Sequence, residues 1–172
     1  EGDFPGFHIS LAYALEGHQP PKDPYVLSNL LISVPRNPQQ TAKEHQDACW
    51  KQQRKDVKLL ALTGINAKDR KTTYRAFRNS KNDEQRGLPK SQKISYPNSL
   101  LEPLLDAFLT ENQPIAHYLC ADKGVELMAV EAQVTTEVIR HFTTRDIPIL
   151  TVHDSYIIDS RYQEELEDVM QS

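Results

Sequence analysis

The stretch that most constrains this chain is Ile147-Pro148-Ile149-Leu150-Thr151-Val152-His153-Asp154-Ser155-Tyr156-Ile157-Ile158. Two short apolar runs, rich in Ile and Val, flank the polar triplet His153-Asp154-Ser155. Runs of this length predict two buried β-strands joined by a tight turn. An Asp at such a turn either hydrogen-bonds its own backbone, as turn Asp residues often do, or presents its carboxylate at the rim of a sheet. A second apolar-flanked Asp, Asp3, opens the chain. Phe4-Pro5-Gly6-Phe7 after it is a turn signal. Ile9, Leu11, Ala12, Ala14 and Leu15 then predict a helix of about two turns ending near Gly17. Asp3 therefore stands at the mouth of a strand-to-helix corner.

The intervening chain reads as mostly helical. Residues 18–40 hold five prolines around the apolar run Val26–Val34, which predicts an exposed connection, a short helix or strand, and another loop. Thr41 and Glu44 form a capping box, and the helix they start runs to about Ala67. Val57, Leu60 and Ala61, with Leu59, Leu62 and Ile65, give it a core-facing side, whereas Arg54 and Lys58, four apart, share another face. A second helix over 68–79 carries Arg70, Lys71, Arg75 and Arg78 beside Tyr74 and Phe77, aromatic residues suited to base stacking or to a core. Residues 79–97 are polar and turn-rich, the pattern of a mobile loop. A helix from Tyr96 to Leu109, capped by Asn98 or Ser99, breaks at Pro114–Tyr118. Another over 123–144 repeats Leu127, Val130, Val134, Val138, Ile139 and Phe142 at the 3.6 period and leaves Glu131 and Gln133 on its polar face. An acidic helix from Tyr162 to Met170 closes the chain. The fold class is α+β, and neither repeats nor low-complexity tracts occur.

Charge is segregated. From Lys51 to Lys93 thirteen Lys and Arg stand against four Asp and Glu, a local +9, so the remainder carries −13 of the net −4. A basic face beside an acidic body suits phosphate-rich partners. Cys49 and Cys120 have no metal-ligand spacing and predict reduced, partly buried thiols in a cytoplasmic protein. No apolar run approaches the roughly 20 residues of a membrane span, so no membrane partner is expected, and no signal peptide opens the chain. Beginning at Glu1-Gly2-Asp3 without Met, the sequence reads as a piece or a processed form.

Asp3 and Asp154 on adjacent strands make a pair that suits Mg²⁺, which takes one or two carboxylates plus substrate phosphates. Two such ions about 4 Å apart stabilise the attacking and leaving oxygens of a phosphoryl displacement. Arg54 and Lys58 then suit the developing phosphate charge. A Ser–His–Asp hydrolase on Ser155 is disfavoured, because adjacent side chains on a strand point to opposite faces.

In this order, Asp, then Arg-x-x-x-Lys on a helix, then His-Asp-Ser at a hairpin, the chain resembles family A DNA polymerases and the related single-subunit phage-type RNA polymerases. It is most similar to uncharacterised phage- or plasmid-type polymerase-like proteins. The segments that carry the resemblance are Asp3-Phe4-Pro5-Gly6-Phe7-His8, Arg54 with Lys58, and His153-Asp154-Ser155, whose Ser form resembles the RNA polymerase branch. The chain departs from the pattern where Asn66-Ala67 replaces Tyr-Gly and where Pro5-Gly6 stands in place of the Ser of many relatives.

The resemblance implies a right-hand fold: a small antiparallel palm sheet with an inserted helical fingers segment and no thumb. It implies palm over 1–40, fingers over 41–97 and palm again over 98–172, with further polypeptide segments completing the polymerase. Asp3, Asp154 and the Phe4 carbonyl are then the Mg²⁺ ligands. Arg54 and Lys58 contact the nucleotide phosphates, Lys58 assists pyrophosphate departure, and Leu62 and Asn66 line the nucleotide site. His153 sits near the primer or product 3′ end. Asn66 occupies the place where the family's Tyr takes part in sugar choice, and an Asn cannot present the same ring and hydroxyl. The implied partners are a nucleic-acid template, a primer or product strand, and nucleoside triphosphates. Two alternatives use the same residues: a catalytically degenerate nucleic-acid-binding module, and a metal-dependent nuclease or phosphohydrolase. The latter would carry further His or Asp ligands, and no His-x-His or Asp-x-Asp cluster occurs.

Overall fold

Periodicity, caps and turn residues produce an α+β arrangement in the computed structural model, which describes residues 2–3, 7–152 and 155–171, with Asp3 and Gln171 as backbone only. In chain order the elements are β1 (Gly2–Asp3), α1 (Phe7–Leu15), α2 (Ala42–Ile65), α3 (Arg70–Glu84), α4 (Asn98–Glu111), α5 (Gly124–Thr143), β2 (Ile149–Val152), β3 (Ser155–Ile158) and α6 (Gln163–Gln171).

Local chemistry accounts for several boundaries. Helix α1 stops at Gly17, whose φ of 69° suits a residue without Cβ. His18 N–H donates to Tyr13 O and Gly17 N–H to Ala14 O, the paired bonds that satisfy a helix's last carbonyls. Helix α2 starts with the expected box: Thr41 Oγ1 accepts from Glu44 N–H, and the Glu44 carboxylate accepts from Thr41 N–H at 2.8 Å. Helix α4 differs from expectation. Pro97 is its cap, and the Asn98 side chain instead accepts from Arg78 at 2.9 Å.

The proline-bearing segment 18–40 forms neither the helix nor the strand expected near Val26–Val34. Side chains of α2 take its backbone bonds instead. The buried Gln53 amide accepts from Leu31 and Ile32 N–H at 2.6 and 3.1 Å and donates to Asn29 O at 2.6 Å. This satisfies buried backbone groups that would otherwise need a ladder, while Tyr25, Leu27 and Ile32 are buried in the core. Residues 79–97 are also less open than expected. Helix α3 continues to Glu84, and the Gln85 side chain clips Ile94 through both its N–H and its carbonyl.

The three strands pair antiparallel in the order β1-β3-β2. The strands are half-buried rather than buried, because the sheet is covered on one face only. Tyr156 is inside with Ile149 and Ile158 packed near it, whereas Leu150, Val152 and Ile157 are exposed. Two cores result. The larger joins α1, residues 25–32, α2, α3, α4 and the start of α5, and so draws on all three anticipated segments. The smaller holds Val138 and Phe142 at the end of α5 against Ile147, Tyr156 and Leu166. Val134 packs against both, which makes α5 the spine between the helical body and the sheet.

Candidate active site

Strand register comes first, because it decides which ends of the chain meet. Gly2 pairs with Tyr156 and Asp3 with Ser155, while Val152 pairs with Ser155 from the other side of the hairpin. Asp3 thus lies across the ladder from the immediate sequence neighbour of Asp154. The anticipated metal ligands Phe4 and Asp154, and His153 with them, lie outside the described residues, as does the Asp3 side chain.

The cationic half is described in full. Arg54, Lys58 and Leu62 on α2 and Asn66 at its C-cap recur every fourth residue, and all four are exposed. Residues four apart on a helix stack on one side, so they form a continuous stripe. Leu62 is 48% exposed and belongs to this stripe, not to the core-facing set expected for it. Val57, Leu60, Ala61 and Ile65 fill the core instead.

Arg54 is not free. Its Nε lies 2.5 Å from Asp23 Oδ2. Asp23 is itself held by its own turn, Oδ1 accepting from Tyr25 N–H at 3.1 Å. The Tyr25 ring lies between the two cations, 6.0 Å from the Arg54 guanidinium carbon and 5.9 Å from Lys58 Nζ. Burial pushes the Tyr25 phenol above its ordinary pKa, and Asp23 adds to this. Lys58 has no carboxylate within ion-pair distance among the described residues. Asp23 and Tyr25 are partners that the sequence reading did not foresee. The only signal for them is that they sit in the loop that Gln53 ties to α2.

Helix α5 links the stripe to the sheet. Cys120, Lys123 and Asp122 N–H donate to Gly64, Ile65 and Ala67 carbonyls at 2.7, 3.1 and 3.0 Å, fastening the end of α2 to the turn before α5. The first residue of α5 must then be glycine. A Cβ on Gly124 would sit 2.0 Å from Asn66 Oδ1. Asn66 is held in place by its own amide, which donates to Leu62 O at 2.9 Å. Seven residues further along α5, about 10 Å by helical rise, Glu131 meets His8 of α1 with 2.9 Å between Oε2 and Nε2. The angle is not that of a hydrogen bond, so the two side chains meet as a close polar contact between α1 and α5. Thr135 Oγ1, one turn on, accepts from the Tyr156 hydroxyl of β3 at 3.2 Å. Glu131, expected on a polar face, therefore anchors the helix that follows Asp3.

The basic segment is outward-facing, apart from the buried Lys81. Lys71, Arg75 and Arg78 on α3 have no carboxylate at ion-pair distance among the described residues. The aromatic residues beside them do not offer stacking surfaces. Tyr74 and Phe77 are both buried, Phe77 edge-on to Tyr96 at 5.0 Å. Among the described residues, no three His, Cys, Asp or Glu converge as a metal cluster, and no helix is long and apolar enough to cross a membrane. Cys49 and Cys120 are free thiols. No protein family, no curated protein and no solved structure matches this chain.

Proposed function

We propose that this chain carries the core of a template-directed nucleotidyltransferase of the right-hand polymerase type, acting with Mg²⁺ on nucleoside triphosphates. One observation carries the reading: the ladder register that sets Asp3 opposite Ser155. Two polymerase-like segments from opposite ends of the chain thereby meet at neighbouring positions. Paired carboxylates are a donor set that hard divalent cations take, and Asp3 and Asp154, with the Phe4 carbonyl, would hold the ions. When bound, a Mg²⁺ pair stabilises the attacking and leaving oxygens of phosphoryl transfer.

The chain's own residues do the rest. Lys58, lacking a carboxylate partner among the described residues, neutralises phosphate charge and assists pyrophosphate departure. Arg54 adds a second cation once it leaves Asp23. His153 orients the product 3′ end. Leu62 and Asn66 complete the stripe toward the sugar. The short Asn66 amide, turned onto its own helix, gives weak selection between ribose and deoxyribose.

The Asp23–Arg54 pair favours one second reading, a nucleic-acid-binding module in which the phosphate cation is permanently occupied. Primer extension with Mg²⁺, comparing dNTPs with NTPs in wild type and Asp154→Ala, separates the two. The polymerase reading expects extension with both nucleotide classes and a loss of at least about a hundredfold in the variant, the scale of a missing electrostatic stabiliser. Equal activity in both proteins, or none in the wild type, overturns it.

A further inference from the structure

A second cationic stripe runs along α3, and one of its members is unsatisfied. Arg70, Tyr74, Arg78 and Asn82 recur every fourth residue and line two adjoining depressions. The first, about 510 Å³, lies between α3 and α4. The second, about 380 Å³, continues past Ser95 and shares Arg78 and Asn98 with it. Tyr74 is 3% exposed, and its hydroxyl, with the Arg70 guanidinium beside it, meets no acceptor among the described residues. Native structures leave few buried donors without an acceptor. Burial raises the Tyr74 pKa against the opposing pull of Arg70, and because a guanidinium only donates, the phenol O–H remains a donor in want of an acceptor.

The charges around it are asymmetric. Arg78 donates to Asn98 Oδ1 and to Tyr96 O but has no carboxylate partner among the described residues, and neither has Lys71. Arg70 pairs with Asp106 at 2.7 Å, with both side chains about half exposed. Exposed pairs of this kind contribute little, so a phosphate readily displaces Asp106 from Arg70. Glu102, the other carboxylate of the cleft, repels a lone anion but accepts from the amino and hydroxyl groups that a nucleotide brings.

We infer that the α3–α4 groove binds a single-stranded polynucleotide, with backbone phosphates on Arg70, Lys71 and Arg78 and one phosphate oxygen accepting from Tyr74. From Arg70 to Asn82 the stripe is about 18 Å long, room for several phosphates of an extended strand. That reach exceeds the three adjoining phosphates of one nucleoside triphosphate. The inference shares with the reading above only its nucleic-acid partner and does not depend on catalysis at Asp3 and Asp154.

The test is fluorescence anisotropy with a 5′-labelled twelve-residue oligothymidylate, with thermal unfolding of each variant as the folding control. Tyr74→Phe keeps the buried ring and removes only the donor, and Arg78→Gln removes the shared cation. Each weakens binding about tenfold, the scale of one hydrogen bond to a charged group. Lys71→Ala lowers the salt slope by about 0.7, the single-strand value for one phosphate contact. Asp106→Asn releases Arg70 and tightens binding severalfold, a gain that a purely structural role for Asp106 does not produce. Binding within twofold of wild type in both Tyr74→Phe and Arg78→Gln, or no strand binding by the wild type, overturns the inference. Competition by ATP, inorganic phosphate or a duplex at the oligonucleotide's own concentration overturns the assignment to a single strand. Asp154→Ala binds the oligonucleotide as wild type does, so a failed primer extension and a failed groove are told apart.

Discussion

Asp56 offers the sharpest prediction about how the helical body is held. Its side chain is 0% exposed, and Lys81, 2% exposed, lies 2.7 Å from its Oδ1. The same oxygen accepts from Gln52 at 2.8 Å, and Oδ2 accepts from the Tyr96 hydroxyl at 2.7 Å. Lys81 also reaches Glu84 Oε2 at 2.6 Å. These contacts bind α2, α3 and the segment before α4 into one unit. Asp56→Asn keeps the volume and removes the charge. The single amide oxygen cannot serve both Lys81 and Tyr96 as two carboxylate oxygens do. Removing one partner of a buried pair costs about 3–5 kcal/mol, and the surviving Glu84 contact sets the expectation at the lower end, about 3. With a urea dependence of about 2 kcal/mol per molar, the unfolding midpoint falls by about 1.5 M. Melting falls by about 6–12 °C at this chain length. Asp56→Leu combined with Lys81→Met removes both charges, and apolar replacement of a buried pair is often neutral or stabilising. The double variant therefore unfolds at a higher urea concentration than Asp56→Asn. A loss under about 1 kcal/mol in Asp56→Asn, or a double variant less stable than the single one, refutes the reasoning.

Three further outcomes follow from the same geometry. Gly124→Ala forces a Cβ against the Asn66 amide and destabilises by about 2 kcal/mol, the scale of overpacking; Asn66→Ala in the same chain restores part of the loss in urea unfolding. Burial opposes the Lys81 charge, but the hydrogen bonds with Asp56 and Glu84 outweigh it and hold the ammonium above its usual range, while burial and then Asp56 push the Tyr96 phenol far up from 10.0. Both folded values are raised, so their stabilisation is complete below about pH 10 and is lost as pH rises beyond it, and urea midpoints measured between pH 8 and 11.5 fall less steeply in Tyr96→Phe. Asp23→Ala frees Arg54 and lowers the apparent Kd for a nucleoside triphosphate about fivefold, read by isothermal titration; an unchanged Kd refutes a phosphate role for Arg54.

Elements carried by local rules were legible in the sequence. The box at Thr41 and Glu44, the left-handed stop at Gly17 and the 3.6-residue repeat from Leu127 to Phe142 each specify a helix without tertiary help. The shared face of Arg54 and Lys58 was legible for the same reason, since spacing alone puts the two on one side. What escaped depends on contacts between distant residues. Segment 18–40 shows no secondary-structure pattern because Gln53, in the next helix, satisfies its backbone. Leu62 looks like a core residue until packing assigns that place to its neighbours. Nothing in the sequence distinguishes buried Lys81 from the exposed cations around it, because its burial depends on Asp56, 25 positions earlier. The Asp23–Arg54 contact, 31 positions apart, escaped likewise.

That last contact bears most directly on function, because it sets the two readings of the chain against each other. A carboxylate on the phosphate cation looks like a lock, and a permanent lock would leave only a binding module. Magnitudes argue otherwise. Arg54 is 49% exposed in the pair and Asp23 29%, a setting in which an ion pair contributes about 0–1 kcal/mol. The Tyr25 ring, at 6.0 Å, adds about 0.5–1 kcal/mol for an exposed cation. Together they hold Arg54 by at most about 2 kcal/mol, which lowers apparent nucleotide affinity by no more than about thirtyfold. Lys58, which the pair does not engage, keeps its charge available throughout. A triphosphate offers Arg54 several charge-assisted bonds at about 1.5–3 kcal/mol each, enough to outcompete one carboxylate. Under the polymerase reading the Asp23 contact is then a reversible resting position for the side chain, one that lowers nucleotide affinity without blocking the site.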